Sequence, residues 1–246
     1  VINSSYWNME TSGIATSMGG DGKTVAEMRH RTTFEDWDFA TIWDIVEGIT
    51  YPFLRGFDYS FYGPEMLLLG ESEIAVECGT QYEDIGAVAG DMSDGDLTSQ
   101  IQITNNVNEK IIGDYTVEYS ITDSDNHTTT RTRIVHVIDT TAPQIILNGP
   151  NPLILEWRTD FIDPGATAID ACNGEIEVLV MSNNVDPQHT GTYHVVYMAT
   201  DSLGNFSVVN REVQVYIYID KIIDLQKIGN DQLYPLNGKY EINGDI

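Results

Sequence analysis

The sequence predicts an all-β chain built around two tandem β-sandwiches, and three observations carry that prediction. The chain repeats itself once at a long interval. Each repeat alternates apolar and polar residues with a period of two, and turn residues punctuate the alternation. Residues 65–70 (EMLLLG) return as 144–149 (QIILNG), and Asp84-Ile85-Gly86-Ala87 returns as Asp163-Pro164-Gly165-Ala166, 79 positions on in each case. Asn106-Val107 returns as Asn184-Val185, and 113–119 (GDYTVEY) as 191–197 (GTYHVVY), now 78 positions on. A single-residue gap therefore separates otherwise collinear copies. A period this long means tandem domains rather than short solenoid units.

A length of 246 residues suits two or three domains. The charge is lopsided, with 12 Lys+Arg against 38 Asp+Glu and a net −26. Nucleic acid is not an expected partner, because phosphate binding needs a basic face. Electrostatic docking on anionic lipid is disfavoured for the same reason. Excess acid solvates an exported protein, and it also furnishes carboxylate-rich loops for hard cations. No run of 18 apolar residues occurs, so no membrane insertion is expected in this segment. The opening VINSSYWNME carries no signal peptide and the closing EINGDI no terminating pattern, so the chain is expected to be a piece of something longer.

Residues 1–57 form the first segment and hold Trp7, Trp37 and Trp43. Residues 24–31 (TVAEMRHR) predict two helical turns, capped by Thr24 with Glu27 three residues on. Residues 33–39 and 42–45 place apolar side chains two apart, as short half-buried strands do, and Glu47-Gly48 reads as a turn. The two copies span 62–138 and 143–217. In the first, Tyr115, Val117, Tyr119 and Ile121 alternate with polar residues; Tyr193, Val195, Tyr197 and Ala199 repeat the pattern. After a turn, β-branched strands run through 130–137 and 208–216. Seven or so strands in each copy predict immunoglobulin-like sandwiches. Gly-x-Tyr at the penultimate strand predicts a tyrosine corner, with the phenol tied to nearby backbone.

Two resemblances add to this reading. Asp163-Pro164-Gly165-Ala166-Thr167-Ala168-Ile169-Asp170, Gly191-Thr192-Tyr193, Ala199-Thr200-Asp201 with Gly204-Asn205, and the joint Asp139-Thr140-Thr141-Ala142-Pro143 resemble the bacterial Ig-like domains found in tandem on surface proteins and in some pesticidal crystal proteins, relatives of the hyalin repeat. Copy one departs, with Ile85 in place of the proline and Ser124-Asp125-Asn126 in the turn. Separately, Tyr6-Trp7-Asn8-Met9-Glu10-Thr11-Ser12-Gly13, Gly22-Lys23-Thr24, Ala26-Glu27-Met28, Trp37-Asp38-Phe39 and Glu47-Gly48-Ile49-Thr50-Tyr51-Pro52 resemble the closing unit of GLUG-type repeat regions of bacterial surface proteins. That resemblance implies a β-solenoid end over 1–57. Residues 220–246 resemble the truncated start of a second such region. An aromatic-rich edge of some other β-domain is the alternative for 1–57.

The two cysteines are expected to be free. Relatives with a bridge keep both halves in one domain, whereas here Cys78 aligns with Trp157 and Cys172 with Ser93. Neither copy can then close its own bridge.

No catalytic residue is assigned, and the chain is read as non-enzymatic. It has no Gly-x-Ser-x-Gly elbow and no His-Glu-x-x-His, its five histidines are scattered, and the loop ending Gly22-Lys23-Thr24 has Ser17 where a phosphate loop needs glycine. The one chemical expectation is calcium. The turn between the last two strands returns to the end where the chain enters a sandwich, which would bring Asp139, Asp170 and Asp201 together as metal ligands. The corresponding acids of copy one are Asp91, Asp123 and Asp125. Otherwise these side chains cap turns.

The function expected is a spacer or stalk of an exported, extracellular or cell-surface bacterial protein, joining solenoid regions. The alternatives are a module binding a glycan or protein receptor, with Trp7, Trp37, Trp43 and Trp157 as candidate stacking surfaces, and an accessory domain of a secreted hydrolase.

Overall fold

The computed structural model describes residues 5–16, 19–219 and 240–242, and they fold as two compact units. The first comprises Val1–Val76 and Thr80–Ile138; the second comprises Glu77–Gly79 and Asp139–Ile246. The described residues are all-β, with one α-helical turn and three short 3-10 turns among them. Among the described residues no helix is long and apolar enough to cross a membrane.

The first unit opens with β1 (Tyr6–Asn8), which pairs in parallel with β2 (Asp21–Lys23). Between them lies α1 (Met9–Ser12), where the Asn8 side chain accepts from the N–H groups of Glu10 and Thr11 and Gly13 closes the turn in the left-handed region. The Thr24–Glu27 capping box forms in both directions, yet the helix behind it is only a 3-10 turn over Glu27–Arg29. The predicted strand over 33–39 is absent. Phe34, Trp37 and Phe39 instead form an aromatic cluster with Tyr6 and Trp43, Trp37 stacking 4.3 Å from Trp43. Their spacing serves ring packing, which a period-two pattern cannot distinguish from a pleat. Strand character in 42–45 is confined to β3 (Trp43–Asp44), paired with β4 (Phe53–Leu54).

The first sandwich contains β5 (Glu65–Leu68), β6 (Glu73–Glu77), β7 (Ala87–Asp91), β8 (Gly95–Asp96), β9 (Gln102–Asn105), β10 (Gly113–Thr122) and β11 (Thr128–Ile138). Its sheets run β5-β7-β8 and β6-β11-β10-β9. Val117, Tyr119 and Ile121 point into a core with Met66, Ala89 and Val135, while Thr116 and Glu118 between them face water. The opening segment packs on this sandwich. Arg29 pairs with Glu65 at 3.3 Å, and a Cβ on Gly90 would stand 2.7 Å from the Val46 Cγ1, so any side chain there must displace the valine.

The second sandwich repeats the plan. It contains β12 (Gln144–Leu147), β13 (Leu153–Glu156), β14 (Ala166–Asp170), β15 (Gly174–Ile176), β16 (Val178–Asn183), β17 (Gly191–Thr200) and β18 (Phe206–Ile219). Its sheets run β12-β14-β15 and β13-β18-β17-β16, with β13 parallel to β18. Val195, Tyr197 and Val213 centre the core. The tyrosine corner forms in both copies: the Tyr115 hydroxyl donates to the Ile111 carbonyl and the Tyr193 hydroxyl to the His189 carbonyl, each at 2.8 Å. Within the predicted tail, β19 (Tyr240–Ile242) pairs in parallel with the end of β18. The rest of 220–246 lies outside the described residues.

The cysteines correct the sequence reading. Cys78 and Cys172 form a disulfide, and none is free. The expectation assumed that Cys78 keeps company with the first sandwich. By its contacts Glu77–Gly79 instead belongs to the second unit. There the Glu77 carboxylate accepts from the N–H groups of Thr140 and Thr141, at 2.7 and 3.0 Å. Alignment of the copies tests pairing only inside one copy and is blind to such a return.

Candidate metal centre

Asp139 follows β11, Asp170 ends β14, and Asp201 follows β17. Each is an aspartate at a strand end, where its carboxylate takes the N–H groups of the turn that follows. Asp139 Oδ1 accepts from the Thr141 N–H and hydroxyl; Asp170 Oδ1 accepts from the N–H groups of Cys172 and Asn173; Asp201 Oδ1 accepts from those of Leu203 and Asn205. These bonds fix the three rotamers.

The carboxylates converge inside the second unit, with one oxygen of each lying within 4.8 Å of the others. All three residues are buried, at 6%, 5% and 7% exposure. The Asn205 side chain ties the Asp201 carboxylate to the Asp139 backbone, donating to Asp201 Oδ2 at 2.7 Å and to the Asp139 carbonyl at 3.2 Å. Asp139 Oδ2 is buried with no hydrogen-bond partner. Burial, reinforced by the charges of Asp170 and Asp201, pushes the Asp139 carboxyl above the ordinary range. Burial acts on Asp201 too, but the hydrogen bonds from Asn205 and the turn N–H groups outweigh it and hold that carboxyl low. The donor set is all oxygen and formally trianionic, which suits a hard divalent cation.

The first unit lacks this convergence. Among the described residues, only Asp139, Asp170 and Asp201 meet in this way. Asp91 and Asp123 are buried at the equivalent turns, but Asp125 is exposed and bonds through its backbone to Asp123. Ser60 stands where the offset places Asp139, and His127, at the position of Asn205, lies 3.1 Å from Asp123 Oδ2. The aspartates of copy one therefore serve as turn caps.

With the geometry in place, comparison with known proteins places the chain. The family described as bacterial surface protein, Ig-like domain, matches residues 66–137 and again 145–215, together more than half of the chain. The chain belongs to this family. Beyond it, the sequence is 28% identical over 152 residues to an uncharacterized 81.3 kDa protein of Acholeplasma phage L2, covering 57% of this chain and 20% of that one. It is 36% identical over 128 residues to pesticidal crystal protein Cry22Aa of Bacillus thuringiensis, covering 50% of this chain and 18% of that one. The chain thus spans about a fifth of each curated relative. A solved structure holding the M60 catalytic domain with two CBM51 domains of Clostridium perfringens ZmpB aligns at 15% identity and TM-score 0.44, over 63% of this chain and 31% of that one. The lipoprotein BT2262 of Bacteroides thetaiotaomicron aligns at 18% identity and TM-score 0.30, over 60% of this chain and 99% of that one.

Sequence reasoning missed the polar centre of each Ig-like copy. Arg133 and Arg211 are at most 1% exposed. Arg211 donates to the Asn148, Pro150 and Gly165 carbonyls and to the Tyr197 hydroxyl; Tyr197 in turn donates to Asp163. Arg133 does the same with the Leu69, Glu71 and Gly86 carbonyls, Tyr119 and Asp84. The signal was present: both arginines sit 78 positions apart on the inward register of their strands, in line with Val135 and Val213. The four tryptophans offered as stacking surfaces are each half-buried. Trp7 donates to the Ile14 carbonyl, and Trp157 to that of Gln188.

Proposed function

We propose that this chain is a non-catalytic spacer of an exported bacterial surface protein, working outside the cell to hold flanking regions at a fixed distance. The observation that carries the reading is the duplication of one braced sandwich. Both copies repeat the buried Arg–Tyr–Asp centre and the tyrosine corner, so their polar chemistry is invested in holding shape. In this reading 1–57 closes one GLUG-type solenoid region and 220–246 opens the next. Deleting both sandwiches from the parent protein should bring an N-terminal epitope closer to the cell surface without reducing export. An unchanged epitope distance would overturn the reading.

One observation favours a second reading, a module that binds a glycan. Phe57, Phe61 and Tyr62 are 68%, 81% and 60% exposed, and Tyr59 lies 5.9 Å from the Phe57 ring and 6.3 Å from that of Tyr62. Sugar rings stack on exposed aromatic faces of this kind. A glycan array probed with the chain and with Phe61→Ala separates the two: silence from both favours the spacer, and a signal lost on substitution favours the module.

A further inference from the structure

We propose that Asp139, Asp170 and Asp201 bind one calcium ion per chain. The deciding observation is Asp139 Oδ2, a carboxylate oxygen shut away from water with no donor facing it. A buried unpaired charge is costly, and native structures retain one only where something answers it. Two further carboxylates lie within 4.8 Å of this atom's group, so repulsion adds to the cost. A cation in the middle reverses both signs.

Chemistry selects the ion. Both cysteines are consumed in the disulfide, the group consists of three carboxylates, and the side chain bonded beside it is the Asn205 amide, so neither thiolate nor imidazole is offered and a soft metal has no preferred ligand. Calcium takes oxygen ligands at about 2.4 Å, so ligands on opposite sides of one ion stand about 4.8 Å apart. Magnesium demands a tighter, near-ideal octahedron that is poorly served by rotamers already fixed in turns. Calcium also accepts water and carbonyl oxygens, so three carboxylates need not fill its shell alone.

The first copy is an internal control. Its sandwich repeats the fold but has Ser60 and His127 where the second has Asp139 and Asn205. Binding should therefore stop at a stoichiometry of one.

The test uses the whole chain after chelator treatment, titrated calorimetrically with calcium chloride. The expected result is one site, abolished by Asp139→Asn and unchanged by Asp123→Asn. Calcium at a hundredfold excess over Kd should raise Tm by roughly 5 °C in the wild type and not in Asp139→Asn. The Asp139→Asn chain should melt in chelator no earlier than the wild type, so that its loss of binding is not a loss of folding. Absence of calcium binding by the wild type, binding retained by Asp139→Asn, or magnesium binding of equal strength would each overturn the proposal.

Discussion

The Arg211 guanidinium lies over the Tyr197 ring, and its Nε donates to the Tyr197 hydroxyl at 3.2 Å. The pair is buried at the centre of the second sandwich, where it carries the loop carbonyls of Asn148, Pro150 and Gly165. Arg211→Met would take the guanidinium away from those acceptors and remove the cation 3.7 Å from Asp163. The expected cost is about 3–5 kcal/mol, read as a fall in the urea midpoint of one transition. Tyr197→Phe removes a single hydroxyl and should cost about 1–2 kcal/mol. Equal effects of the two substitutions would mean that the arginine is not the hub.

The disulfide makes a count. Thiol titration of the denatured, unreduced chain should find none, and two after reduction. Cys172→Ser removes a link between residues 94 apart in sequence, and the chain-entropy account puts the loss at about 4.7 kcal/mol. Chemical denaturation of oxidised and reduced wild type should show a difference of the same size.

Glu77 supplies a pH dependence. The N–H of Thr140, followed by the Thr140 and Thr141 hydroxyl and amide donors, holds its carboxyl below the ordinary glutamate range. A carboxyl depressed by folding stabilises above its unfolded pKa, and that support is lost as pH falls through the folded value. Glu77→Gln should therefore lower stability at neutral pH by about 1 kcal/mol, discounted for partial exposure, and the gap to wild type should close below about pH 4. A gap that widens on acidification would contradict the assignment.

Gly90 and Val46 offer a steric test. Gly90→Ala places a Cβ against the valine and should cost about 1–3 kcal/mol, whereas Val46→Ala with Gly90→Ala should cost less than the sum of the two single changes. Additive costs would show that the contact is not shared.

Much of the β architecture was legible because period-two alternation and repeat spacing are local signals. Val117-x-Tyr119-x-Ile121 fixed the inward face of β10 before any contact was known. The convergence of Asp139, Asp170 and Asp201 was also readable, since sandwich topology returns strand ends to one pole. The aromatic segment was not, because Phe34, Trp37 and Phe39 mimic a strand while packing ring on ring. The disulfide escaped because the rule applied to it presumed that each cysteine belongs to the copy in which it is written. The buried arginines escaped because arginine is normally an outward residue, and only its register betrayed it.

The covalent tie from Cys78 to Cys172 bears on a chain pulled by its ends. Tension entering at one cysteine leaves at the other, and the 94 intervening steps carry none of it. Fully drawn out, that stretch would measure about 320 Å. An oxidised tether of this kind withholds that contour from extension, whereas a reduced one would surrender it under load.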